Sequence, residues 1–98
     1  MSREVVVRHE AEEELAAAFA WYEERVPGLG AAFLLAVEAV IESIGRNPMR
    51  HALVYKSVRQ ALTRRFPYKV LYLVEESRVI VLAVFHARRN PRRWRERT

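Results

Sequence analysis

Residues 68–75 (YKVLYLVE) and 78–86 (RVIVLAVFH) are apolar at nearly every position, with only a short break between them. A strand with apolar side chains at alternate positions buries one face, whereas one apolar at successive positions needs cover on both. The EES break is far too short for a parallel crossover, which takes a dozen residues or more, so these strands must pair as an antiparallel hairpin. Pro67 stands just ahead of the first, where a strand can begin without losing a needed ladder hydrogen bond. The rest of the chain must therefore cover both faces of this pair. With 98 residues there is material for one small domain, 1–98, and no linker, repeat or low-complexity tract divides it.

Cover for one face is legible upstream. EVVVR (4–8) reads as a short first strand of β-branched residues. In the following HEAEEELAAAFAWYEERV, residues Ala11, Leu15, Ala18, Phe19, Tyr22 and Val26 recur at steps of three and four, a helical stripe. Glu10, Glu12, Glu13 and Glu14 crowd its first turns, where negative charge suits the helix dipole. PGLG (27–30) stops it, and a second helix runs from about Ala31 to Gly45 with Phe33, Val37, Val40, Ile41 and Ile44 as its stripe. So tight a connection makes an antiparallel helical hairpin. Residues 53–66 mix apolar and basic types and are expected to hold one or two irregularly paired strands. The expected fold is α+β: an N-terminal strand, the helical hairpin, then a three-stranded antiparallel meander with a short basic tail. The helices cover one sheet face. The other needs apolar cover from the chain or from a partner, and Trp94 is read either as a plug or as an anchor for that partner.

Charge divides the chain in two. Residues 1–49 hold four Arg against nine Glu, a net of −5, and residues 50–98 hold 13 Lys and Arg against three Glu, a net of +10. Five of the arginines fall between 88 and 95. Such a half attracts phosphates or carboxylates, and arginine binds either bidentately.

The same inventory excludes much chemistry. There is no cysteine, and His9, His51 and His86 are scattered, so no metal, disulfide or cofactor is expected. GLG before the second helix is a turn and not a phosphate loop, and Ser2, Ser43, Ser57 and Ser77 lie in no nucleophile elbow. The glutamates read as solvated helix surface. No run approaches the ~18 apolar residues of a membrane span, nor has the N-terminus a signal-like apolar run, and a cytoplasmic location is expected. RNA cleavage remains, needing a base, cations and an acid. His86 could serve as base with Arg88 and Arg89 as cations, or it could bond to the backbone and order the tail. Tyr68 and Tyr72 share a strand face with Val70 and Val74, fitting either base stacking or core packing.

WYEERVPGLGAAFL (21–34), Pro48, VR (58–59), RRFPYKVLY (64–72) and VLAVFHARRNPRRW (81–94) occur in that order and span nearly the whole chain. Together they resemble the ParE branch of the RelE/ParE superfamily, the toxic halves of bacterial type II toxin–antitoxin pairs. The resemblance implies the fold just described. It also implies a cognate antitoxin, a short DNA-binding protein whose acidic C-terminal segment folds across the helical hairpin and along the sheet. The residues expected to receive it are Leu15, Phe19, Tyr22, Phe33, Val37, Arg59 and Arg65. ParE-type members inhibit DNA gyrase, whereas RelE-type members cleave mRNA on the ribosome. The gyrase reading is the expectation, without catalysis, and the ribonuclease is the alternative. The latter would fall to Arg59, Lys69, His86 and Arg89, but Trp94 has no ionisable hydroxyl and cannot replace a tyrosine in proton transfer. In the gyrase reading Arg88, Arg89, Arg92, Arg93 and Trp94 grip the target, His86 and Asn90 order the turn, and Pro91 stiffens the tail. Asn90 stands where the family more often has aspartate.

Overall fold

The computed structural model describes residues 3–98. Its elements are β1 (Glu4–Val7), α1 (His9–Arg25), α2 (Leu29–Arg46), a 3-10 turn (Pro48–Arg50), β2 (Leu53–Tyr55), β3 (Val58–Leu62), β4 (Tyr68–Val74), β5 (Arg78–His86) and α3 (Arg92–Arg95). One five-stranded sheet has the order β1-β5-β4-β3-β2. β1 lies parallel to β5, with Glu4 opposite Arg78 and Val7 opposite Val81, and β2 through β5 form an antiparallel meander. The meander thus has four strands where three were expected. Residues 53–66 hold two short ones, joined at Lys56, whose φ of 50° lies in the left-handed region and is the kind of turn that no glycine announced.

The helical hairpin closes through Glu23. Its carboxylate accepts hydrogen bonds from the backbone N–H of Gly28 (2.8 Å) and Gly30 (2.9 Å), satisfying donors that the first turn of α2 leaves open. Gly28, at φ 89°, makes the turn itself. Gly30 is needed for closeness, because a Cβ there would sit 2.7 Å from the Phe19 carbonyl oxygen and 2.9 Å from Glu23 Cβ. Gly30→Ala is therefore expected to cost about 1–3 kcal/mol by overpacking, despite alanine's advantage of about 1 kcal/mol in helix propensity. Chemical denaturation reads this as a lowered midpoint, and an unchanged midpoint would mean that the helices have slack to part.

Apolar side chains fill two layers. Between helices and sheet lie Phe33, Val37 and Ile44 of α2 and Ala11 and Ala18 of α1, against Val70, Tyr72, Val79, Val81 and Val84. Tyr68 and Tyr72 belong to this layer: Tyr68 packs on Phe33 with ring centres 4.9 Å apart, and the buried Tyr72 hydroxyl donates to the Pro48 carbonyl at 2.6 Å. Tyr72 is fully buried and cannot stack on a base, whereas Tyr68 packs on the core but stays partly exposed at a groove between α1 and β5. On the opposite face Val58, Leu71, Ile80, Leu82, Ala83 and Phe85 are closed off by Trp94, which is 1% exposed.

β5 reads as an unbroken apolar run because both its faces are buried, and a bulge changes which residues take each face. Leu71 pairs with Ala83 and Tyr72 with Val81, leaving Leu82 as an extra residue. One inserted residue reverses the alternation of faces. Val79, Val81 and Val84 therefore face the helices, while Ile80, Leu82, Ala83 and Phe85 face the other way.

Candidate functional site: a folded cationic tail and two grooves

Beyond β5 the chain is tightly ordered. Ala87 N–H donates to the Pro67 carbonyl (2.8 Å), Arg88 N–H to His86 Nδ1 (3.1 Å), and Arg92 N–H to Asn90 Oδ1 (3.0 Å). His86 and Asn90 do order the turn, and Pro91, with φ −66°, starts α3 without strain. Trp94 then turns inward, edge-on to Tyr55 at 5.9 Å. This corrects its expected role in gripping a target: the second sheet face needs apolar cover, and the indole supplies it.

Arg97 fastens the tail. Its guanidinium makes a forked pair with Glu14 (2.8 and 3.0 Å) and donates to the Leu82 carbonyl (2.9 Å), while Glu14 Oε1 also accepts from Val84 N–H (3.1 Å). β1 ends opposite Val81, so from the bulge onward β5 keeps β4 on one side but has no strand on its β1 edge among the described residues. The Glu14–Arg97 pair satisfies the backbone groups left open there. Hydrogen bonding to Glu14 raises the Arg97 pKa, and the two side chains are only 17% and 19% exposed. Glu14 is thus an exception to the reading of these glutamates as solvated.

The other tail arginines face solvent. Arg88, Arg89, Arg92, Arg93 and Arg95 are exposed. The ion pairs among the described residues are His9–Glu13, Arg46–Glu42, Arg78–Glu75 and Arg97–Glu14, and none includes those five.

The four residues considered for RNA cleavage do not gather. Arg59 donates to the carbonyls of His51 (2.6 Å) and Met49 (3.3 Å), holding the end of the 3-10 turn. Lys69 alternates with Val70 and so lies on the Trp94 side, opposite Phe85. His86 meets Tyr68 edge-on at 5.3 Å and, with Arg89, lines a groove between α1 and β5 whose other wall carries Glu10, Glu13 and Trp21. Only His86 and Arg89 share a site. Burial raises the pKa of Tyr68 beside them, with Tyr22 adding to the effect and Arg89 opposing it.

The residues expected to receive an antitoxin are likewise dispersed. Phe33 and Val37 are fully buried beneath the hairpin, because their stripe faces the sheet, and no partner reaches them. Leu15 and Tyr22 are half-buried against the same layer, Phe19 is half-buried, and Arg59 is occupied as described. Arg65 does face outward. It lines a second groove, between α2 and the end of β3, with Arg50, Arg64 and Phe66 and with Leu35 and Leu62, which are 67% and 63% exposed. Both leucines were missed. The available signal was Leu35 standing off the Phe33–Val37 stripe, flanked by the small residues Ala32, Ala36 and Ala39.

Among the described residues no group of three or more His, Cys, Asp or Glu side chains could hold a metal, and no helix is long and apolar enough to cross a membrane. A family model described as the ParE toxin of the type II toxin-antitoxin system, parDE, matches residues 5–91. Toxin ParE2 of Mycobacterium tuberculosis, from strains CDC 1551 / Oshkosh and H37Rv alike, is 32% identical over 92 residues, covering 93% of this chain and 88% of the relative. The chromosomal ParDE system from P. aeruginosa superposes with a TM-score of 0.77 at 13% identity, over 87% of this chain and 96% of that one. The toxin-antitoxin complex RelBE2 from M. tuberculosis gives 0.60 at 20% identity, over 88% and 99%. At such identities the structural likeness speaks for the fold.

Proposed function

Since this chain belongs to the ParE toxin family of type II toxin–antitoxin systems, we propose that it arrests growth in the cytoplasm by binding DNA gyrase, and that a cognate antitoxin holds it inactive. The observation that carries the non-catalytic reading is the separation of Arg59, Lys69 and His86: Lys69 lies on the sheet face opposite His86, and Arg59, with β4 between its strand and that of His86, is committed to backbone carbonyls. The exposed Arg88, Arg89, Arg92 and Arg93, in no ion pair among the described residues, then act as the gripping edge, with Trp94 and Arg97 as its foundation.

For the antitoxin, the groove flanked by Leu35 and Leu62 and rimmed by Arg50, Arg64 and Arg65 fits an acidic, apolar segment that folds as it binds. The ribonuclease alternative keeps one specific support, the approach of His86 to Tyr68 in a groove that also holds Arg89. Induced expression with separate readouts of plasmid supercoiling and transcript integrity distinguishes the two. The expected outcome is arrest with lost supercoiling, DNA-damage signalling and intact messages. Transcripts cut at ribosomal A sites, with supercoiling normal, would hand the function to the alternative.

A further inference from the structure

We propose that Lys56, Arg92 and Arg95 form a binding site for the phosphodiester backbone of a nucleic acid. The proposal rests on the tail's role as a gripping edge and names what part of that edge takes hold of. Lys56, in the β2–β3 turn, is brought by the fold to α3, and with Asn90 and Thr98 the three cations line a depression of about 530 Å³. Arg92 and Arg95 stand three residues apart, on one side of α3. The proximity is tertiary, so it is more than a run of like residues along the chain.

Tyr55 fixes the arrangement. Its ring lies 5.1 Å from the Lys56 ammonium and 4.8 Å from the Arg95 guanidinium, and it is itself seated against Trp94. Two cations are therefore held over one aromatic ring that is anchored in the second core layer. Lys56 also keeps a positive φ, a conformation that disfavours side chains and that the surrounding contacts must hold. Glu96 is the acidic side chain on the wall, but it makes no ion pair among the described residues. The repulsion among the cations is left for a ligand to relieve.

The chemistry favours a phosphodiester over an acidic protein segment. An amphipathic segment needs exposed apolar surface, which the Leu35–Leu62 groove offers. Here the one aromatic ring is already engaged by Lys56 and Arg95, and the remaining lining is polar. Phosphates ask for no apolar contact, and arginine forks match their oxygens.

The test is titration of the purified full-length chain with a labelled DNA duplex of about 25 base pairs across about 50–200 mM salt, without gyrase or antitoxin. Lys56→Ala/Arg92→Ala/Arg95→Ala is compared with Arg25→Ala/Arg46→Ala/Arg78→Ala, which removes equal charge elsewhere. The first triple is expected to bind at least about tenfold more weakly and to flatten the slope of log K against log salt by about 2 to 3, while the control stays within about twofold of wild type. Should the triple unfold, Arg92→Ala alone, with no aromatic contact to lose, is expected to flatten the slope by about 1. Equal losses in both triples, DNA binding unchanged by the first, or a wild-type chain that binds no DNA would each overturn the site. Because gyrase is absent, such a failure leaves the gyrase reading to its own test.

Discussion

Replacing Trp94 with alanine is expected to lower stability by about 3–5 kcal/mol, the range for deleting a large buried aromatic. A domain of this size has roughly 5–15 kcal/mol in all, so the variant is expected to be partly unfolded at 37 °C. The physical reason is position. Trp94 is 1% exposed and closes a layer made of Val58, Leu71, Ile80, Leu82, Ala83 and Phe85, against which the half-buried Val6, Val54, Tyr55 and Leu73 of the strands also pack. Its indole N–H is buried with no acceptor among the described residues. An orphaned donor of that kind costs about 1–3 kcal/mol. Trp94→Phe, which removes the orphan while keeping most of the apolar body, is therefore expected to lose less than half as much. Urea denaturation of both variants checks the pair. A Trp94→Ala variant within about 0.5 kcal/mol of wild type, as ordinary surface substitutions are, would mean that the tail does not cover the sheet in solution.

This second layer also shows how far the sequence could be read. YKVLYLVE and RVIVLAVFH demanded cover on two faces, and the Phe33–Ile44 stripe supplied one of them correctly. Trp94 stood open as plug or anchor, because a lone tryptophan among arginines has no periodicity to assign it a face. The bulge at Leu82 was hidden for a related reason: a strand apolar at every position gives the same pattern with or without an inserted residue. Fold class, hairpin and strand order of the central pair were legible because they follow from period and loop length. The Glu14–Arg97 pair was not, since two charges 83 residues apart meet only when the chain has folded. The expected antitoxin contacts failed at Phe33 and Val37 because one apolar stripe cannot serve both the core and a partner, and the core takes precedence.

Reversing the charge at Arg89 is expected to abolish growth arrest while leaving the fold intact. Arg89 is exposed, forms no ion pair among the described residues and stands at the turn between β5 and α3, beside Arg88. Like charges set against each other at an interface cost several kcal/mol, and about 1.4 kcal/mol is a tenfold change in binding. Arg89→Glu is accordingly expected to weaken target binding at least about 100-fold, with stability shifted by no more than about 0.5 kcal/mol. His86→Ala is expected to weaken arrest only a few-fold, because its imidazole accepts the turn bond from Arg88 N–H and meets the edge of Tyr68. Colony survival after induction reads both. A His86→Ala chain that folds, binds antitoxin and yet is fully non-toxic would point instead to acid–base chemistry in the groove it shares with Arg89.

The most direct measurement is supercoiling of relaxed plasmid by purified gyrase in the presence of this purified chain. Inhibition is expected to rise with the ratio of chain to enzyme, to be missing with Arg89→Glu, and to be reversed by adding the cognate antitoxin. Gyrase that keeps its full rate in several-fold excess of a folded, antitoxin-competent chain would contradict the account.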